Sequence, residues 1–148
     1  MKVINLIGDE QVLRIKSALI SLREALAVRE YAETRMYRLA VARRFTISYF
    51  AFLNYLVSRV RIYEKSSDVG LEDILQRCRR YNLFSASDER MVIQMSMLYA
   101  ALSYYNEGFD SARDELLADI PAMCIFLERF ISLHDRVPTH RPRLEAAV

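Results

Sequence analysis

Residues 91 to 106 read MVIQMSMLYAALSYYN and carry no charge, in a chain of which 27% of residues are charged. Apolar sequence of that length is either packed in a core or covered by a partner, because leaving it in water is unfavourable. It falls short of the roughly 20 apolar residues that span a bilayer, and Gln94, Ser96 and Ser103 interrupt it. With only three Gly and three Pro in 148 residues there is little material for hairpin turns, so the run reads as a helix in an all-α protein. A chain of this length makes one domain that needs neither disulfide nor metal.

The helical period recurs along the chain. Val12, Ile15, Leu19, Leu22 and Leu26 alternate spacings of three and four, with Arg14, Lys16, Arg23 and Glu24 on the opposite face, which predicts a first helix over roughly 9 to 30. Patterning weakens over 30 to 37, a turn or a continuation. It resumes at Val41 and runs through Phe45, Tyr49, Phe52, Leu56 and Val60; this second helix, rich in aromatic residues, is expected at the centre of the core. Turn residues at 65 to 70 precede a short helix holding Leu71, Ile74, Leu75 and Cys78 and ending in Arg77, Arg79 and Arg80, where cations suit the helix dipole. Ser85 or Ser87 can cap the fourth helix, with Asp88 and Glu89 in its first turn and Met91, Met95, Leu98, Leu102 and Tyr105 on one stripe. After a turn at 106 to 109, Ala112, Leu116, Leu117 and Ile120 open a last helix, which Pro121 is expected to kink and not to end. The expected architecture is a mostly up-and-down bundle of four or five helices over residues 1 to 137, with a flexible tail at 138 to 148.

Chemistry is sparse. Gly8, Gly70 and Gly108 are too scattered for a phosphate loop, which excludes a Walker-type nucleotide hydrolase. Cys78 and Cys124 lack paired spacing and read as small buried hydrophobes. His134 and His140 sit at or beyond the end of the last helix, so neither a metal site nor a nucleophile with a histidine base is expected, and no cofactor is. No basic start leads into an apolar N-terminal stretch, so a soluble cytoplasmic protein away from membranes is the expected class. Residues 1 to 60 hold ten Lys and Arg against five Asp and Glu, and the remainder eleven against fourteen. Arg43, Arg44, Arg77, Arg79 and Arg80 could together hold nucleic acid, although near-zero net charge makes this a weak signal.

Tyr99, Tyr104 and Tyr105 cannot all face one core, so at least one lies at a rim or an interface. Beside them, Ile93, Gln94, Met97, Ala100, Ala101 and Tyr104 form a second uncharged face of the fourth helix. Either the short helix lies across it or a second copy of the chain does; Ser96, Ala100, Ala101 and Ser103 are small enough for close approach.

Several segments in order resemble the HEPN superfamily, in its branch of nucleotidyltransferase substrate-binding proteins, over residues 18 to 130. They are ALISLREAL at 18 to 26; Arg44-Phe45 opening FTISYFAFLNYL, where the family has RFEFTFEL; LEDIL at 71 to 75 with YNLF at 81 to 84; and Ile120-Pro121. The resemblance implies an HEPN-like bundle that forms a homodimer and pairs with a minimal nucleotidyltransferase, often as toxin and antitoxin. Active members cleave RNA with an Arg, a following polar residue and a His that meet across the dimer; those positions fall here on Tyr99, Ala100 and Tyr104. The catalytic pair is therefore missing, and a non-catalytic subunit that binds the transferase or its nucleotide-bearing substrate is expected. Tyr105-Asn106-Glu107 resembles the residues after the family's His, where a tyrosine can accept a nucleotidyl group. The expected binding residues are Tyr99, Tyr104, Tyr105, Arg44, Arg77 and Arg80. Two alternatives stand beside this: an RNA-cleaving enzyme using Arg129 and His134, which keep the Arg-to-His spacing elsewhere, and a helical interaction module with no nucleotide role.

Overall fold

A computed structural model describes residues 2–28, 35–63, 70–104 and 117–134. These form five helices: α1 (Lys2–Ala27), α2 (Arg35–Arg61), α3 (Leu71–Arg80), α4 (Ala86–Tyr104) and α5 (Ile120–His134). The expected all-α bundle is what the chain forms. No described helix is long and apolar enough to cross a membrane.

α2 packs against α1, α3 and α4, while α5 packs against α1 and α4. Side-chain contacts identify the neighbours and, for α1 and α2, the direction. Arg44 of α2 donates to the Ser21 carbonyl of α1 at 2.9 Å, and Tyr37 reaches the Leu26 carbonyl at 3.4 Å, so these helices run antiparallel. Tyr49 meets Tyr99 across α2 and α4, and Arg23 of α1 pairs with Glu128 of α5. The result is a four-cornered bundle in the order α1, α2, α4, α5, with α3 laid against the C-terminal end of α2, where Tyr63 stacks on Tyr81 at 4.5 Å.

The core follows the spacing read for α1 and α2 except at Leu26, which is only partly buried while Ala25 is buried instead. Val12, Ile15, Leu19 and Leu22 are buried, and so are Val41, Phe45, Tyr49, Phe52, Leu56 and Val60. Across the diagonal of the bundle, Phe130 of α5 sits 5.2 Å from Phe52 at an edge-to-face angle of 87° and 6.4 Å from Tyr55, with Phe126 also on Phe52. Each such side chain, fully removed from water, contributes about 1.5–3 kcal/mol before entropy is counted. Arg59, only 1% exposed, joins this core at the C-terminal turn of α2. Its position follows Phe52 and Tyr55 at helical spacing, so the register placed it inward whatever its charge.

Several boundaries differ from expectation. α1 starts at Lys2 because Val3, Ile4, Leu6 and Ile7 extend helix-compatible sequence through Gly8, and it closes at Ala27. α2 starts at Arg35, six residues before the apolar period resumes, since helix needs only compatible residues and one anchoring contact, here the half-buried Tyr37. On α4 the buried stripe is Val92, Met95, Leu98 and Leu102; Met91 lies half-buried at its edge. Pro121 kinks nothing. A turn at 118–119 precedes α5, and the first helical bond runs from the Met123 amide to the Asp119 carbonyl at 3.1 Å, leaving Pro121 in the first turn, where its missing N–H has no partner to lose. The turn at 106–109, the start of the helix expected from Ala112, and the tail lie outside the described residues.

Helix ends follow local chemistry. Ser85 caps α4 reciprocally: its hydroxyl accepts from the Asp88 amide at 3.2 Å while Asp88 Oδ2 accepts from the Ser85 amide at 3.0 Å. α3 ends in a six-to-one bond from the Leu83 amide to the Cys78 carbonyl at 2.8 Å, made through Asn82 at φ 55°, a left-handed position that Asn tolerates.

Candidate functional site

α4, uncharged from Met91 onward, has two apolar faces there, and only one is buried. Val92, Met95, Leu98 and Leu102 face the core, whereas Ile93 is 38% and Met97 65% exposed, with Ala100 exposed between their rows. α3 does not cover them. Steps of 100° per residue put Ile93, Met97 and Ala100 within about 60° of one another, directly opposite the buried stripe. Gln94 is exposed beside them. Among the described residues, this face carries no charge over the last fourteen positions of α4, which leaves no local like-charge repulsion against a second apolar surface.

Between the faces, α4 turns Tyr99 toward α2. Its ring stacks on Tyr49 at 5.4 Å and 27°, and meets the edge of Phe50 at 4.9 Å and 80°. Burial raises the Tyr49 phenol above its ordinary pKa, with its hydrogen bond to Ser96 pulling the other way. Tyr99 thus lies at the rim, as one of the two readings of the tyrosines had it. It forms a wall of a groove of about 500 Å³ between α2 and α4, lined also by Leu39, Ala42, Arg43, Thr46, Leu102 and Ser103. Tyr104 is the last residue of α4, with no described side chain, and Tyr105 lies outside the described residues.

The arginines are not brought together. Arg44 is half-buried and bonded to the Ser21 carbonyl, so it ties α2 to α1. Arg77 is half-buried and Arg80 exposed in the last turn of α3, where Arg79 also pairs with Glu89 of α4 at 3.1 Å. With α3 held at the far end of α2 by the Tyr63–Tyr81 stack, that cluster lies roughly 25 Å along the helix from Arg43 and Arg44. A single nucleic-acid track through all five is not formed. Arg129 is exposed on α5, and His134 closes the same helix five positions later, about 140° around its axis.

Other chemistry is quiet. Cys78 and Cys124 are fully buried, and burial pushes their thiols up to about 12 and about 11, so neither is a thiolate near neutral pH. No group of three or more potential metal ligands occurs among the described residues. Sequence reasoning missed Thr46, Leu39 and the groove itself. Two helices have to be docked before such a groove exists, and its only sequence signal was Arg43 one turn before Ile47 on the outer face of α2. No family model, curated protein or solved structure matches this chain.

Proposed function

We propose that this chain is a non-catalytic helical bundle of the HEPN type that forms a homodimer through the outer face of α4 and serves as binding partner or substrate-binding subunit of a minimal nucleotidyltransferase. The observation that carries the reading is the exposed Ile93, Met97 and Ala100 face on a helix without charge from Met91 onward. The outer face of α1 breaks its exposed Leu13 and Ile20 with Arg14, Lys16, Arg23 and Glu24, whereas an outward stripe with no charge suits a helix that packs against another surface. The positions that hold Arg, a polar residue and His in RNA-cleaving relatives are Tyr99, Ala100 and Tyr104 here, which supports a binding role over a hydrolytic one.

The pairing is tested at the gene and in the tube. A neighbouring gene encoding Gly-Ser, ten residues and Asp-x-Asp is expected, and its product co-purifies with this chain. An isolated gene together with a chain that binds no such transferase contradicts the pairing. Purified protein is expected to leave RNA intact; cleavage abolished by Arg129→Ala would establish the enzymatic alternative instead.

A further inference from the structure

α2 turns a single narrow row to water. Steps of 100° per residue place Met36, Leu39, Ile47 and Phe50 within about 80° of one another, with Arg43 at the centre of the row and Arg61 at its C-terminal end. The four apolar side chains are all exposed, Met36 at 82% and Ile47 at 53%. Arg35 stands at the N-terminal edge, and Asn54 is the remaining exposed residue. α2 holds six arginines and no acidic residue; Arg35, Arg43 and Arg61 are the three that face outward. Arg43 makes no hydrogen bond or ion pair with another described residue. Beside the row, the exposed Leu13 of α1 joins Ile47 and Phe50 along a shallow groove of about 760 Å³, whose only described acid, Glu10, is taken up by Arg14 at 2.6 Å.

We infer that the outer face of α2 docks on the surface of an anionic phospholipid membrane, lying along it without crossing it. The cations of the row are spread, about 12 Å from Arg35 to Arg43 and about 27 Å from Arg43 to Arg61 along the axis, with apolar side chains between them. One carboxylate on a protein partner answers one of these charges. A sheet of anionic headgroups answers all three, while the apolar side chains reach the acyl boundary and the arginine stems lie along it with their guanidinium groups in the headgroup layer. This surface is carried by a different helix from the α4 face, and it does not depend on pairing with a transferase.

Co-sedimentation of the full chain with vesicles tests this. Vesicles of phosphatidylcholine and phosphatidylglycerol at about two to one bind the chain, phosphatidylcholine alone binds it at least about tenfold more weakly, and binding to the mixed vesicles falls as salt is raised. Arg43→Glu and Ile47→Glu, both at exposed positions, each weaken binding to the mixed vesicles at least about tenfold while keeping the helical circular dichroism of the parent. Lys16→Glu makes the same change of charge as Arg43→Glu on the α5 side of α1, and alters binding less than about threefold. The chain contains no Trp, so Phe50→Trp provides a single reporter, whose emission shifts to the blue on the mixed vesicles and is quenched by brominated acyl chains. If Phe50→Trp does not fold, the charge variants decide. No binding to the mixed vesicles at low salt, equal loss in Lys16→Glu and Arg43→Glu, or an unshifted Trp in the vesicle-bound chain overturns the assignment. So does polyglutamate or an RNA oligomer that binds the chain more tightly than the vesicles do, since the occupant is then a soluble polyanion. Self-association that is present without vesicles and lost in Ile47→Glu assigns the row to a second copy and overturns it as well.

Discussion

α1 and α4 each bury a stripe of apolar residues in the same core, yet their outer faces differ. α1 sets Arg14, Lys16, Arg23 and Glu24 toward water, and its Arg23 ties to Glu128 on α5. α4 sets Ile93, Met97 and Ala100 there. The core accounts for most of the described part of α1, where Leu13 and Ile20 stand exposed among those charges, and for only half of α4. The absence of charge among the exposed residues of α4 from Met91 onward is the structural basis of the proposed interface.

The largest effect expected from breaking the inner faces is on α1. Leu22 is fully buried, and Leu22→Ala is expected to cost about 2–5 kcal/mol in urea unfolding. A smaller loss would mean that the α1 face can collapse onto a cavity, and that the two inner faces are less alike than their burial suggests.

The interior is further tested by pH. Folding raises the Cys78 thiol from 9.0 to about 12 and Cys124 to about 11. Stability from keeping them neutral is complete below about pH 9. It falls as pH climbs from there toward 11 and 12, because the unfolded chain releases those protons first. Unfolding midpoints followed from pH 7 to pH 11 are expected to drop above pH 9, less steeply in a Cys78→Ala variant; a flat profile contradicts a dry interior at these positions.

Smaller effects separate local chemistry from packing. Ser85→Ala removes the reciprocal cap of α4 and is expected to cost about 1 kcal/mol without altering assembly. Glu128→Gln breaks the pair with Arg23, both side chains 45% exposed, and is expected to cost about 0.2–1 kcal/mol, shrinking with added salt. If either variant changes the oligomeric state, the distinction between a solvent face on α1 and a contact face on α4 fails.

How far these features were legible in the sequence follows the same division. The three-and-four spacing of Val12, Ile15, Leu19 and Leu22, with charge opposite, determined the α1 core face. Phe45, Tyr49 and Phe52 did the same for α2. On α4 the apolar residues surround the helix, so periodicity could not choose between Met91 and Val92 as the start of the buried stripe. Pro121 was misplaced because apolar residues continue on both sides of it; only the turn at 118–119, which carries no Gly, separates them. The three tyrosines required at least one rim or interface position, but that Tyr99 takes one, beside Thr46 and Leu39, depends on the docking of α2 on α4. Arg44, Arg77 and Arg80 looked equivalent as cations. Their distinct surroundings depend on which helix each side chain meets, and composition carries nothing of that.

Whether the outer face of α4 is a contact surface between copies is decided by sedimentation equilibrium of the parent chain and of Met97→Glu. The parent is expected to sediment at twice the chain mass. Met97→Glu is expected to sediment at the chain mass while its unfolding stays within about 0.5 kcal/mol of that measured for the dissociated parent, because the substituted position is outside the core. A parent chain that remains monomeric at high micromolar concentration, or a Met97→Glu variant that dimerises as the parent does, would contradict it.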